Sequence, residues 1–111
     1  MQYLVIAYDN ENALERRLES REAHIEGARK LMAEGKIINA GALIEDDVMV
    51  GSTLFIDFET DEELDEWLEN EPYVKNNVWN MDEFQIVPVK LLPKNELSNQ
   101  ISPFCRAYLY F

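Results

Sequence analysis

The sequence predicts an α+β domain whose elements run βαββαβ, with four strands in one antiparallel sheet and both helices on one face. Three observations predict it. Four runs rich in β-branched and aromatic residues alternate with two stretches of helical composition. The middle two runs are joined by an acidic turn at Asp46-Asp47, which makes them a hairpin. Two βαβ-type crossovers around a hairpin are the signature of ferredoxin-like topology.

The elements follow in order. QYLVIAY opens the chain as a buried strand and stops at the turn-favouring Asp9-Asn10. From Glu11 to Glu34 the composition is helical, and Ser20 is expected to interrupt it by capping a fresh helix from Arg21. Gly35 ends that helix. At 100° per residue Ile25, Ala28, Leu31 and Met32 share one face, with His24 beside the stripe and so pointing inward or along a cavity wall. KIINAGALIE and VGSTLFIDFE read as the hairpin strands. Thr60 with Glu63 forms a capping box, and Leu64, Trp67 and Leu68 give the second helix its apolar stripe. Pro72 requires that helix to stop ahead of it. DEFQIVPVKLL reads as the fourth strand, with Pro88 placing part of it at an edge or bulge. Trp67, Trp79 and Phe84 read as core or interface residues.

Helices on one face leave the other face of the sheet bare, so a second copy packing sheet to sheet is the simplest cover, and a homodimer is expected. A length of 111 residues allows one compact domain. It is placed at residues 1–90, with 91–111 as an extension that adds a strand or docks on the partner. The apolar fraction of 47% and aromatic fraction of 11% exclude a disordered acidic segment.

The net charge of −12 would repel nucleic-acid phosphates and anionic membranes, so neither is an expected partner. Apolar runs such as LVIA fall far short of the roughly 20 residues that span a bilayer, and no basic start precedes an apolar signal segment. A cytoplasmic location is expected. The one cysteine, Cys105, cannot form an internal disulfide and reads as a small apolar filler. With a single histidine and no calcium loop, glycine-rich phosphate loop or H-E-x-x-H, the chain is expected to use no metal and no nucleotide cofactor. Asp46 and Asp47 read as solvated turn residues, and the acidic flank of the second helix as a solvated face.

RRLESREAH, NAGAL, VGST and NEPYVKNNVW together resemble the YciI-like family over about residues 1–90. The matching positions are Arg21 and His24, Gly41 and Leu43, Gly51 and Ser52, and Pro72 and Tyr73. The resemblance implies a dimeric α+β barrel with a cleft between sheet and helix in each subunit. It also implies a site that pairs His24 with the acid before Pro72, in a family where a few members eliminate chloride from chlorinated hydroxyaromatics. That acid is Glu71 here, where the family has aspartate, and Ala42 stands where the family has proline.

A carboxylate bonded to an inward imidazole fixes its tautomer and makes a proton carrier useful near neutral pH. His24 and Glu71 are therefore the candidate catalytic pair. Ser52, as a donor to a substrate oxygen, and Tyr73, as a lining or donor residue, are the candidate binding residues beside them. Arg21, one helical turn before His24, is a candidate for holding an anionic group or for pairing with a surface carboxylate. The implied activity is lyase- or isomerase-type acid–base chemistry on a small metabolite. The alternatives are a non-catalytic small-molecule-binding module, or a structural oligomer tied by its aromatic tail.

Overall fold

The computed structural model describes residues 1–93. Cys105 and all but the first three residues of the 91–111 extension lie outside the described residues. The order is β1 (Gln2–Tyr8), α1 (Leu14–Ala33), β2 (Ile37–Glu45), β3 (Val48–Asp57), α2 (Asp61–Asn70), α3 (Pro72–Lys75), a 3₁₀ turn (Met81–Glu83) and β4 (Gln85–Pro88). The strands stand β2-β3-β1-β4 and every neighbouring pair is antiparallel, the ferredoxin-like arrangement.

Register decides which side chains meet. Val5 pairs with Leu54, Ala7 with Ser52 and Tyr3 with Ile56. Because side chains alternate along a strand, these residues share the face toward the helices. There Val5, Ala7, Leu54 and Ile56 are no more than 2% exposed and join Phe58, Trp67, Tyr73 and Trp79 in the core. The other face carries Leu4 opposite Phe55 and Ile6 opposite Thr53, all only partly covered.

The local signals act as their chemistry requires. Asp46 and Asp47 take φ of 51° and 63°, the mirror-image turn that suits the twist of a two-residue hairpin. Gly35, at φ 76°, terminates α1 in the left-handed region that costs glycine least. Thr60 Oγ1 accepts from the Glu63 N–H at 3.1 Å and starts α2. Trp67 and Trp79 are core, with Phe84 packed against them.

Three expectations are corrected. Helix α1 is continuous through Ser20, which is 6% exposed and accepts a bond from Asn76 Nδ2 at 2.9 Å. With its hydroxyl engaged across the packing interface, Ser20 does not compete for the backbone, so nothing breaks the ladder. Met32, placed on the inward stripe, is 43% exposed, whereas Ala28 and Leu31 pack on the core as expected. Strand β4 is limited to Gln85–Pro88. Before it, Asn80 Oδ1 caps the 3₁₀ turn by accepting from Asp82 N–H; beyond it Val89 N–H still donates to the Gln2 carbonyl at 3.1 Å, so Pro88 takes a position whose missing N–H costs no bond to β1. Among the described strands β4 pairs with β1 alone, and this edge position is the one the proline requires.

Candidate functional site

The site begins with the dipeptide Glu71-Pro72. Proline excludes the helical region for the residue before it, so Glu71 is extended, at φ −71° and ψ 121°, and α2 ends. Pro72 then opens α3 with Glu71 as its cap, Oε1 accepting the Tyr73 N–H at 3.1 Å. The same oxygen lies 2.5 Å from Nδ1 of His24, on α1. Both side chains are largely out of water, at 12% exposure for His24 and 6% for Glu71. The methylene that distinguishes Glu71 from aspartate is absorbed by the cap geometry, and the pair forms.

A carboxylate accepts, so Nδ1 is the ring nitrogen that carries hydrogen, and Nε2 is left for other partners. The imidazole is also fixed by stacking. Its centroid lies 3.9 Å from that of Tyr73 with the planes 12° apart, and Trp79 meets it edge-on at 5.9 Å. Burial pushes the Tyr73 phenol above its ordinary range, with Arg17 and Arg21 pulling the other way. Tyr73 thus remains a phenol at neutral pH and serves as a wall rather than a base.

Ser52 occupies β3 opposite Ala7 and Ala42 and is 2% exposed. Its Oγ accepts from Arg17 Nη2 and from Trp79 Nε1, both at 3.1 Å. Arginine and indole N–H groups cannot accept, so the Ser52 hydrogen is committed to neither bond. Arg17 in turn donates through Nη1 to both carboxylate oxygens of Asp9, at 3.0 and 3.2 Å. Burial raises the Asp9 carboxyl above its ordinary value, and the Arg17 charge and hydrogen bond oppose that rise. The guanidinium also stands 4.8 Å from the Tyr73 ring centroid.

Between α1 and the β2–β3 hairpin these groups border a cavity of about 310 Å³, lined among others by Arg17, Arg21, His24, Ser52, Ala42 and Tyr73. Of the five candidate site residues, Arg21, His24, Ser52 and Tyr73 line it, and Glu71 is joined to it through His24. Arg21 is exposed and lines the cavity, and the hydrogen bond that holds the His24 ring comes from Glu71. Arg17, Asp9 and Trp79 were missed as site residues. For Arg17 a signal existed, since it lies seven residues before His24 and hence two turns along the same face. For Asp9 and Trp79 none did, because they meet through an isolated bridge between the end of β1 and the chain after α3. Among the described residues no group of three or more His, Cys, Asp or Glu side chains is placed to hold a metal ion. None of the described helices is long and apolar enough to cross a membrane.

Comparison with known proteins agrees with this architecture. A family model described as the YCII-related domain matches residues 1–90. An uncharacterized protein of Haemophilus influenzae is 34% identical over 86 residues, covering 71% of this chain and 88% of its own length. Protein YciI of Escherichia coli is 33% identical with the same coverage. Among solved structures, the 5-chloro-2-hydroxyhydroquinone dehydrochlorinase TftG of Burkholderia phenoliruptrix, in complex with 2,5-dihydroxybenzoquinone, superposes with a TM-score of 0.70. It shares 25% identity, and the match covers 81% of this chain and 94% of that one.

Proposed function

The chain belongs to the YCII-related family, and on that premise we propose that it is a small-molecule enzyme in which His24, oriented by Glu71, moves a proton. The observation that carries this reading is the 2.5 Å contact of His24 Nδ1 with Glu71 Oε1 at the wall of a cavity. Nε2 takes a proton from a substrate carbon or hydroxyl. The resulting imidazolium is held against the Glu71 carboxylate. The electron pair released from the broken bond to hydrogen then forms a double bond. A leaving group departs with its own pair in a lyase reaction; in an isomerase the proton returns at a neighbouring atom. The Ser52 hydroxyl donates to a substrate oxygen on which charge develops. The dehydrochlorinase to which the fold is similar bears a name that describes an elimination, and this favours the lyase form.

A thermal-shift screen of small hydroxy and keto metabolites, followed by turnover assays on the hits, tests the proposal. Wild-type turnover that falls about 100-fold or more in His24→Ala supports it. Ligands that bind both proteins equally and are never turned over would identify a binding module instead.

The proposed assembly is a homodimer in which a second copy covers Leu4, Ile6 and Phe55 on the open sheet face, with residues 91–111 as an extension outside the 1–90 domain. Light scattering should give twice the chain mass and Phe55→Asp should halve it; a monomeric wild type would overturn this. The proposed partners are that second copy and a small ligand, with no nucleic acid or membrane. The proposed location is the cytoplasm, whose reducing conditions suit a chain with one cysteine.

A further inference from the structure

The chain carries 22 acidic and 10 basic residues, yet the charged side chains lining the His24 cavity are Arg17, Arg21 and Arg29, with no carboxylate among the described residues. A second cavity, about 390 Å³ between α1 and α2, has the mixture the composition leads one to expect, with Glu34, Glu63, Glu66 and Glu71 beside Lys30 and Lys36. Of these two cavities, only the one beside His24 has a purely cationic charged lining.

Two independent features inside it point the same way. Arg17 is only 4% exposed and, although its Nη1 is paired with Asp9, its Nε has no hydrogen-bond partner among the described residues, so one buried guanidinium N–H is left open. Ser52 spends its lone pairs on Arg17 and Trp79 and keeps only a hydrogen to offer, so toward a ligand it is a donor. Arg21 and Arg29 are exposed and stand at the rim, eight residues apart on α1. The remaining wall is apolar, with Ile25, Met49 and Leu54 among its residues. A volume of about 310 Å³ lies at the lower end of the range for ligand pockets.

We infer that this cavity selects a small organic anion, a carboxylate on an apolar body no larger than a single substituted ring, with Arg21 and Arg29 as its selectivity residues. The inference rests on the proposal that the cavity is the reaction site and adds the class of its substrate. Guanidinium groups pair with a carboxylate through charge-assisted hydrogen bonds that a neutral amide of the same shape cannot replace. On a chain of net charge −12, local positive lining also overcomes the general repulsion an anion would meet.

The test is a calorimetric panel of matched acids and amides, comprising benzoate and benzamide, salicylate and salicylamide, and 2-oxobutanoate and its amide, with benzylamine as the cation. Arginine side-chain N–H signals in nuclear magnetic resonance locate the binding. At least one acid should bind the full-length protein about tenfold or more tightly than its amide, with a ratio that falls as NaCl rises from about 0.02 M to about 0.5 M. Arg21→Gln/Arg29→Gln, both exposed and so compatible with folding, should bring that ratio toward one and leave amide affinity unchanged. His24→Ala should retain the acid preference. A preference that survives in a protein with no turnover of any metabolite would sink the catalytic reading alone. No acid binding better than its amide, a ratio untouched by the double substitution, or a preference for benzylamine overturns the anion site.

Discussion

Ser52→Ala removes one oxygen and leaves two buried donors without an acceptor. Trp79 Nε1 belongs to a side chain 1% exposed, and Arg17 Nη2 to one 4% exposed, so water replaces little of what is lost. Each orphaned donor costs about 1–3 kcal/mol, the charged one toward the upper end, and partial relaxation of Arg17 onto Asp9 recovers some of it. The expected loss is about 2–4 kcal/mol. For a domain of this length that corresponds to a fall in Tm of about 8–16 °C. Urea titration followed by the fluorescence of the two buried tryptophans, Trp67 and Trp79, should show a lower midpoint with an unchanged slope. A serine that merely suits a strand start after glycine would cost within about 0.5 kcal/mol, so a loss that small would refute the network described here.

Other outcomes follow from the same packing. In Gly51→Ala a Cβ would stand 2.5 Å from the Ala7 carbonyl oxygen and 3.1 Å from Tyr8 Cα, both backbone atoms. Strands β1 and β3 must separate, so thermal melts should show about 1–3 kcal/mol of destabilisation, and wild-type stability would contradict the close approach. Lys36 donates to Glu63 at 3.0 Å, and this bond is the first cause of both the lowered Glu63 and the raised Lys36 pKa. Glu63 therefore adds stability above its ordinary 4.5 that is lost as pH falls through the lower folded value. Lys36 adds stability below 10.5 that is lost as pH rises through the higher folded value. The Tm difference between wild type and Glu63→Gln should thus persist across neutral pH and shrink toward both extremes and in high salt; a difference independent of pH would exclude the pair as its cause.

The strands and turns were legible because each depends on a few neighbouring residues. Asp46-Asp47, Gly35 and the Thr60 cap act within a few residues of themselves, although the Glu63 side chain accepts from Glu59 N–H rather than from Thr60 and so closes the expected box one residue early. Ser20 misled for the same reason, since its hydroxyl answers to Asn76, 56 positions away. Strand β4 is short because an edge strand continues only as far as its neighbour allows: β1 begins at Gln2, whose carbonyl accepts the last of these bonds from Val89. For the site, the helical period placed His24 on an inward face, but nothing local joins it to Glu71, 47 positions later. That pairing came from resemblance alone, and the sheet, α1 and the Glu71-Pro72 turn together produce it. Arg17 escaped notice because among many charges a buried arginine has the same letter as a solvated one.

The central claim is that Glu71 holds His24 with hydrogen on Nδ1, leaving Nε2 as the basic nitrogen of a ring that lines the cavity. Since the chain contains one histidine, its ring nitrogens give a single pair of signals in ¹⁵N spectra of uniformly labelled protein. The neutral ring should be the Nδ1–H tautomer, with a slowly exchanging Nδ1 proton that is lost in Glu71→Ala while the fold is retained. An Nε2–H tautomer, or a spectrum indifferent to the loss of Glu71, would contradict it.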